Sequence, residues 1–304
     1  MRQPGLVDDH SIARPERAAQ PVDLNFSWGA LLQYVDAISY LGIIGNRLPA
    51  LEWLAKPLYR RAFGRPYNGN AYYGLYQSYS EAEAAAPPTM LHSYDQPAAS
   101  LKYQHDFQDI RASDYPVVYW LSRLFKDGQG KVFDLGGHLG QAYYGFAHYL
   151  EYPHALEWRV QDVPAVVEAG RQRALKDDPE RRLGFTTDFM DAEGSDILVT
   201  TGALQYLEST LPEMLQRLAS KPKHVLINMV PMHPERNYFT LQNMGIAICP
   251  YRVVCVPEFV TSMLALGYEQ IVHWKLPERY LKVPFEPSCT IECYHGFYFR
   301  RAGS

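Results

Sequence analysis

The sequence predicts an α/β fold of the Rossmann-like type, with a mostly parallel sheet that ends in an antiparallel C-terminal hairpin. From residue 131 to residue 230, β-type segments alternate with helical patterns, as in βαβ crossovers. The last two β-type segments, 268–274 and 292–300, have no helical pattern between them, so they should pair antiparallel. A cluster of glycines follows the first strong strand, at the turn where open parallel sheets usually bind ligands.

Hydrophobic periodicity gives the remaining elements in order. A helix over 113–125 leads through the turn KDGQG into the first strand. The β-type segments of the parallel part are 131–135, 156–162, 183–188, 196–201 and 223–230. The helices expected after these strands are 140–150, 164–175, 211–219 and, beyond a long connection, 256–267.

Composition and charge limit the function classes. The 304 residues are 47% hydrophobic, enough for a sizeable core, and 29 basic against 33 acidic residues give a net charge of -4. Without a large basic field, no nucleic-acid partner is expected, and a small molecule is the favoured ligand. The cysteines, Cys249, Cys255, Cys289 and Cys293, have no zinc-site spacing, so we expect reduced thiols in a cytoplasmic protein and no metal site.

The chain divides into three predicted parts. Residues 1–24 are polar, lack the apolar core of a signal peptide and are expected to be a disordered lead. Residues 25–112 are expected to form a helical, tyrosine-rich N-terminal cap, and residues 113–304 the main domain. The most apolar early stretch, 29–48, is interrupted by polar residues, which favours a helix packed on the protein over one lying on a membrane. Whether these helices hold a second copy in a homodimer, touch lipid or cover a substrate stays open.

The glycine cluster at residues 134–140 indicates a particular cofactor. Gly136, Gly137 and Gly140 have the spacing G-G-x-x-G, and Asp134 precedes them by two residues. A carboxylate would repel a pyrophosphate but attract an ammonium or sulfonium, and S-adenosylmethionine carries both. The alternative is a glycine turn that only joins a strand to a helix.

Two later strand ends support a nucleoside-binding cleft. Asp162 follows the second strand, where a carboxylate can accept hydrogen bonds from both ribose hydroxyls. Asp188 follows the third strand and can accept from an adenine amino group, while Phe189 can stack on the ring. A solvated strand-end aspartate is the alternative at Asp162, and acidic-aromatic pairs such as 188–189 also occur by chance.

Taken together, the segments DLGGHLG, QDVPAVV, TDF and DILVTTGALQYL resemble class I S-adenosylmethionine-dependent methyltransferases over about residues 113–304. More narrowly, YYGLYQSYSEA is similar to the F-x-G-x-Y-x-S-W-x-E-A signature of a bacterial methyltransferase family often encoded among surface-polysaccharide and O-antigen biosynthesis genes. The blocks SYDQP, QDVPAVVEAG, GALQYLE and YRVVCVPEFVTSMLALGYEQIVHW also look like that family, so the resemblance covers about residues 67–300.

The resemblance implies a class I methyltransferase fold and an S-adenosylmethionine site. Besides the positions above, it implies that Val163 belongs to the cofactor-binding set and that Thr201 and Gly202 lie beside the sulfonium. One departure is His138, which stands where many class I enzymes have a third glycine. Because a helix N-terminus disfavours a charged imidazole, we expect His138 to have a structural role.

The catalytic residues are less determined. In similar O-methyltransferases a catalytic histidine follows the fourth strand, where this chain has Gln205, and glutamine cannot take up a proton at neutral pH. The acceptor is therefore already nucleophilic, such as a carboxylate or an amine, or the base comes from elsewhere, and His233 is the best substitute. A surface or capping role for His233 is the alternative. The other residues expected at the acceptor pocket or in a lid are Tyr206, Arg252, Tyr238, Tyr72, Tyr73 and Tyr76.

These features predict a methyltransferase acting on a small-molecule, glycan or natural-product acceptor, with oxygen as the favoured atom. Methylation of nitrogen or carbon, and a non-catalytic S-adenosylmethionine-binding scaffold, are the alternatives.

Overall fold

The computed structural model describes residues 52–66, 70–92, 95 and 110–303. The predicted lead, 1–24, and the helical stretch expected before residue 52 lie outside the described residues. The helices are α1 (Glu52–Phe63), α2 (Tyr79–Ala85), α3 (Tyr115–Lys126), α4 (Gln141–Phe146), α5 (Pro164–Asp177), α6 (Leu211–Arg217) and α7 (Val256–Ala265). The strands are β1 (Ala71–Tyr76), β2 (Lys131–Leu135), β3 (Glu157–Gln161), β4 (Leu183–Thr186), β5 (Ile197–Thr201), β6 (His224–His233), β7 (Tyr238–Asn243), β8 (Ile248–Cys255), β9 (Tyr268–Leu276) and β10 (Tyr294–Arg301).

The main sheet confirms the predicted Rossmann-like, mostly parallel fold. Strands β4, β3, β2, β5 and β6 lie side by side in that order and all pair in parallel. Helices cover both faces of the sheet, so β2 and β5 are buried along nearly their whole length and read in the sequence as short apolar runs rather than alternating patterns.

The antiparallel C-terminal hairpin is also confirmed. Strand β10 pairs antiparallel with β9 and inserts between β9 and β6, with which it is antiparallel as well. Its pairing with β6 slips between His295 and Phe297, opposite Met229. Met229 has φ 58, in the left-handed region, so β6 carries a bulge at this point.

A second group of strands was not predicted from the sequence. The long connection after residue 230 contains β7 and β8, which pair antiparallel, and β1 from the N-terminal segment pairs antiparallel with β7. Only the end of β6 joins this group, through the parallel pairs Met232 with Val254 and His233 with Cys255. We call β1, β7 and β8 the cap sheet, and it adjoins the main sheet at the carboxyl end of β6.

The cap sheet has its own packing. Helices α1 and α2 supply Tyr59, Phe63 and Ala82 to a buried cluster that includes Phe239 and Leu241 of β7. The tyrosine-rich segment predicted as part of a cap therefore contains a strand, while the predicted boundary between residues 112 and 113 stays a prediction.

Candidate active site

The candidate site lies where the chain changes direction in the main sheet. Strand β2 pairs with β3 on one side and with β5 on the other. The chain first adds β3 and β4 on one side of β2 and then crosses over to add β5 and β6 on the other side. The carboxyl ends of β2 and β5 therefore border a crevice, which is the usual position of ligands in open α/β sheets. The turn after β2 contains the glycine cluster, and Gly202 follows β5.

The glycines of the turn allow very close backbone packing. Gly136 has φ 72, and a Cβ at this position would collide with the side chain of Ala203. A Cβ on Gly137 would lie 2.8 Å from Oδ1 of Asp134 and still closer to the rest of that carboxyl group. Gly140 has φ 85 and forms the N-cap of α4. Glycine is therefore required at Gly136 and Gly137 by close packing against Ala203 and the Asp134 carboxyl group.

Asp134 lies beneath this turn rather than on its surface. The side chain is 2% exposed and accepts a hydrogen bond of 3.1 Å from Nε1 of Trp158. Burial raises the pKa of Asp134 to about 7, and the negative charge of Asp162 adds to the effect. Its direct ion pairing with a ligand ammonium stays a prediction, and the buried position argues instead for an effect on the turn.

The Asp162 side chain forms hydrogen bonds with the turn after β2 and with the turn after β3. Its Oδ2 accepts from the backbone N–H of His138 at 2.9 Å, and its Oδ1 accepts from the backbone N–H of Val163 at 2.8 Å. Burial raises the pKa of Asp162, although these hydrogen bonds and His138 act in the opposite direction. Each carboxylate oxygen keeps a second lone pair, so a ribose hydroxyl can still be accepted.

His138 has an unusual backbone conformation. Its φ is 54, a left-handed value that is uncommon outside glycine, and its side chain is buried. This conformation directs the backbone N–H to Asp162. The residue thus has a left-handed backbone geometry that glycine adopts more readily, consistent with the structural role expected for it.

The N-terminal segment also contributes to this edge of the crevice. Oδ1 of Asp95 accepts a hydrogen bond of 2.9 Å from the backbone N–H of Ala165, in the first turn of α5. Asp95 adds negative charge close to Asp162. In the sequence, Asp95 is marked only by its place in the SYDQP block.

Asp188 and Phe189 follow β4, the third strand of the predicted parallel series. Asp188 is exposed, and its Oδ1 accepts a hydrogen bond of 2.8 Å from the backbone N–H of Met190. The ring of Phe189 is only 6% exposed and packs edge-on against Phe133, with ring centres 5.7 Å apart. Contact of either residue with adenine stays a prediction, and most of the Phe189 ring is committed to the core.

Among the described residues, two that are close to Gly202 in the sequence, Thr201 and Gln205, have buried polar atoms without a hydrogen-bond partner. Nε2 of Gln205 donates to the carbonyl of Gly202 at 2.7 Å, while the side chain as a whole is 6% exposed. Within the part of the chain that the structure describes, the buried atoms Oε1 of Gln205 and Oγ1 of Thr201 have no hydrogen-bond partner. Buried polar atoms are nearly always paired, so these two indicate that a water or a ligand can bind close to Gly202.

The structure argues against His233 as a general base. Nδ1 accepts a hydrogen bond of 3.1 Å from the backbone N–H of Glu235, so Nε2 carries the proton and donates to the carbonyl of Ser288 at 3.1 Å. The side chain is 6% exposed. Both ring nitrogens thus bind the backbone of two loops, which is the capping alternative considered from the sequence.

On the cap side of Gly202 lies a group of tyrosines. Tyr206 donates to Oε1 of Gln242 at 2.8 Å, and Nε2 of Gln242 donates to the hydroxyl of Tyr72 at 3.2 Å. Tyr251 packs edge-on against both Tyr206 and Tyr72, with ring centres 5.3 Å apart in each case, and its hydroxyl lies 2.9 Å from that of Tyr294. We call Tyr72, Tyr206, Tyr251 and Tyr294 the tyrosine cluster.

Met229 connects the tyrosine cluster to Gly202. Its side chain packs with the cluster, and its Cε lies 3.9 Å from where a Cβ on Gly202 would be. The β6 bulge places Met229 in this position, so a residue with a left-handed φ lies beside Gly202. Nothing in the sequence around Met229 indicates the bulge.

The remaining predicted pocket residues have other partners. Arg252 donates to the carbonyls of Leu207 and Glu208 and stacks on Phe239, 4.5 Å from the ring centre. Tyr238 donates to the carbonyl of Cys289 at 2.6 Å. The predicted lid tyrosines Tyr73 and Tyr76 pack at the edge of the cluster formed with α1 and α2. A lid role for these tyrosines stays a prediction.

Metal-binding clusters and membrane-spanning helices are both absent from the described residues. Within 52–66, 70–92, 95 and 110–303, no group of three or more histidine, cysteine, aspartate or glutamate side chains is arranged to hold a metal ion. Among the helices of the same residues, none combines the length and apolar character needed to span a membrane.

No family model and no curated protein matches the chain. Solved structures that it resembles include the methyltransferase CcbJ from Streptomyces caelestis, with 13% identity, a TM-score of 0.44 and coverage of 70% of this chain and 99% of that one. Magnesium protoporphyrin IX methyltransferase from Synechocystis, with bound S-adenosylhomocysteine, is 12% identical with a TM-score of 0.46, and the match covers 69% of this chain and 96% of that one. The 1,6-didemethyltoxoflavin N1-methyltransferase from Burkholderia thailandensis, also with S-adenosylhomocysteine, is 16% identical with a TM-score of 0.42, and the match covers 67% of this chain and 86% of that one. At these low scores the likeness adds no argument, and the fold rests on the strand order described above.

Proposed function

We propose that the protein is an S-adenosylmethionine-dependent methyltransferase that acts on a small-molecule or glycan acceptor. The observation that carries the proposal is the crevice between the glycine turn and Gly202, at the switch point between β2 and β5. Its two tightest backbone positions, Gly136 and Gly137, have no room for a side chain, and the opposite wall contains two buried polar atoms without partners.

The residues present fit S-adenosylmethionine. The glycine turn at the carboxyl end of β2 is where the methionine part of the molecule would bind, and glycine allows the left-handed φ of Gly136 and Gly140 that the turn needs. Asp162 lies at the neighbouring strand end, where a ribose binds in such sheets, and its side chain is half-buried and hence reachable from the crevice. Oγ1 of Thr201 and Oε1 of Gln205 supply hydrogen-bonding atoms beside Gly202. Val163, Asp188 and Phe189 remain the proposed contacts on the nucleoside side.

When bound, S-adenosylmethionine supplies an electrophilic methyl group on a sulfonium. The protein has to hold the acceptor in line with that group and exclude water, because alignment contributes most of what a methyl transfer needs. Gly202 and Met229 border the place where the acceptor would meet the methyl group. Gln205 and Tyr206 are the proposed positioning residues there, since Gln205 is fixed by the carbonyl of Gly202 and Tyr206 by Gln242.

The site favours an acceptor that needs no strong base. Gln205 cannot accept a proton at neutral pH, and both ring nitrogens of His233 bind backbone groups. We therefore favour a carboxylate oxygen as the methylated atom, with an amine nitrogen as the second choice. Transfer to carbon and a purely binding role remain the other outcomes of the test below.

The first experiment measures cofactor binding. Calorimetric titration with S-adenosylmethionine and S-adenosylhomocysteine should give one site per chain for the wild type. Asp162→Ala should weaken both by at least about tenfold, because it removes a carboxylate that binds the ribose and fixes two backbone N–H groups.

Asp191→Ala is the matched control, because Asp191 forms only an exposed ion pair of 3.9 Å with Arg159. It should bind both compounds as the wild type does. No heat from the wild type, or equal binding by Asp162→Ala, would exclude the cofactor assignment. Transfer of a labelled methyl group to carboxylate, amine and hydroxyl compounds then separates an enzyme from a binding scaffold.

A further inference from the structure

Helix α1 packs on the cap sheet with only one of its sides. Ala55, Tyr59 and Phe63 recur every four residues along the helix, so they lie on one side of it, and all three are buried in the cluster shared with β7. A helix that packs in this way usually has polar residues on its opposite side. In α1 the opposite side instead begins with large apolar residues.

The outward side of α1 is apolar along its first two turns. The side chain of Trp53 is 71% exposed, that of Leu54 47% and that of Leu58 56%, and Pro57 is exposed as well. Trp53 and Leu54 each lie four residues before another member of this group, so the four side chains are neighbours on the helix surface. A single exposed leucine is ordinary, but a contiguous apolar group on a surface marks a site of interaction.

Positive charge borders this apolar group. Arg60 and Arg61, in the last turn of α1, are exposed, and so is Arg65 just beyond the helix. Arg61 lies three residues after Leu58 and therefore continues the same stripe. Across the described parts of the chain, none of these three arginines forms an ion pair with a carboxylate.

The acidic residue of α1 does not neutralise the stripe. Glu52 is half-buried and lies 3.6 Å from Nζ of Lys56, which is also 3.7 Å from Glu286. These groups therefore form an ion-pair network among themselves. We define the outer face of α1 as the exposed residues of the helix, all of them apolar or basic: Trp53, Leu54, Pro57, Leu58, Arg60 and Arg61.

The outer face matches the surface of an anionic membrane. Helices that lie on a membrane insert tryptophan and leucine at the boundary between headgroups and acyl chains, while their arginines reach the lipid phosphates. Because the arginines of this face have no acidic partner in the described chain, their charge complements that of anionic lipids. A protein partner is less suited to it, since a standard protein interface buries about 800 Å² on each side, far more than four apolar side chains of one helix provide.

We propose that the outer face of α1 is a docking surface for an anionic phospholipid bilayer. Its apolar side chains insert among the headgroups, and its arginines lie next to lipid phosphates. The contact is peripheral and reversible, because the helix lies on the bilayer and does not cross it. The inference goes beyond the proposed function and does not depend on it.

The test is sedimentation of the full chain with sucrose-loaded vesicles of phosphatidylcholine, prepared with and without phosphatidylglycerol. The wild type should bind the anionic vesicles at least about tenfold more strongly than the neutral ones, because its arginines gain partners only on the former. Raising the salt concentration to about 1 M should release much of the protein, since exposed charges are then screened.

Substitutions separate the two parts of the surface. Leu54→Ser combined with Leu58→Ser should weaken binding to anionic vesicles by at least about tenfold, because it removes the inserted side chains. Arg60→Gln combined with Arg61→Gln should remove most of the preference for anionic over neutral vesicles. All four positions are exposed, so both variants should unfold at the same urea concentration as the wild type.

The chain offers a matched control for each pair. Leu175 in α5 is 78% exposed, and Leu175→Ser should leave vesicle binding unchanged. Arg123 and Lys126 are exposed in the last turn of α3, as Arg60 and Arg61 are in α1, and Arg123→Gln with Lys126→Gln should keep the preference for anionic vesicles.

The outcomes that would overturn the proposal are distinct. Failure of the wild type to bind anionic vesicles would exclude a membrane surface, and so would binding that Leu54→Ser with Leu58→Ser leaves unchanged. A wild-type dimer that these two substitutions convert to a monomer in light scattering, without vesicle binding, would identify the face as an interface between two copies. S-adenosylhomocysteine should bind equally to all variants, because none of the substituted residues belongs to the candidate site, so failure of either proposal leaves the other standing.

Discussion

The two sides of the candidate site are built in different ways. The proposed cofactor side consists of turns that are each continuous in sequence, and its critical features are backbone positions, such as Gly136, Gly137 and the N–H of His138. The proposed acceptor side consists of side chains from β1, β7, β8, β10 and loops, and the hydrogen bond between Gln242 and Tyr72 joins residues 170 positions apart. A cofactor site can thus be recognised from short motifs, whereas an acceptor pocket depends on long-range packing.

The largest expected effect tests the backbone side. Gly137→Ala places a methyl group against the carboxyl group of Asp134, which is buried and hydrogen-bonded to Trp158, so the turn has to move. We expect a loss of about 3 kcal/mol in the free energy of unfolding and no measurable binding of S-adenosylhomocysteine. Urea unfolding and calorimetry measure the two quantities.

Gly184→Ala is the matched control. Gly184 is a strand residue in β4, and a Cβ there would meet nothing within 4 Å. Its stability should change by less than about 0.5 kcal/mol and its binding not at all. Wild-type binding by Gly137→Ala would remove the glycine turn from the cofactor site and end the comparison between the two sides.

The same contrast explains what the sequence could predict. The alternation of strands and helices between residues 131 and 230 is a local pattern, and so are Gly136, Gly137 and Asp162 at the ends of their strands. All six residues of β7 are buried, including Thr240, Gln242 and Asn243, so this strand shows no alternation between apolar and polar positions. It therefore looked like part of a long connection.

Residue roles were harder to predict than positions. Asp134 and His233 lie at the expected edge of the sheet, but the sequence does not show which atoms their side chains contact. The Asp134 carboxyl group is buried under the turn and accepts a hydrogen bond from Trp158. Both ring nitrogens of His233 form hydrogen bonds with backbone groups.

The next effect concerns the buried carboxyl group on the cofactor side. The pKa of Asp134 is raised to about 7 from its usual 3.8, so the folded protein holds this proton more tightly than the unfolded chain does. Its stabilising contribution is therefore complete below pH 3.8 and is lost as the pH rises to about 7. Above that pH, the wild type bears the cost of a buried negative charge close to Asp162.

Asp134→Asn removes this cost and keeps an oxygen that can accept from Trp158. We expect the variant to be more stable than the wild type by about 2 kcal/mol at pH 8, less than the full linkage energy because the new amide N–H gains no acceptor. The difference should shrink towards pH 5, and it is measured by urea unfolding across this range. Asp191→Asn, at an exposed position, should show no such trend, and a constant difference for Asp134→Asn would contradict a raised pKa.

The smallest effect tests the long-range side, through the hydrogen bond from Tyr206 to Gln242 that links the end of β5 to the cap sheet. In a double-mutant cycle of Tyr206→Phe and Gln242→Leu, we expect a coupling of about 1 kcal/mol in the free energy of unfolding. The coupling arises because either substitution alone already removes the hydrogen bond between Tyr206 and Gln242. Tyr298→Phe with Gln242→Leu is the control pair, because Tyr298 bonds His224 at the other end of β6, and these changes should be additive. S-adenosylhomocysteine affinity should stay within about twofold in all variants, because side chains on the acceptor side do not shape the glycine turn. Additive behaviour of Tyr206→Phe and Gln242→Leu would instead mean that the cap sheet does not hold Tyr206, and the acceptor side would then depend on local contacts as the cofactor side does.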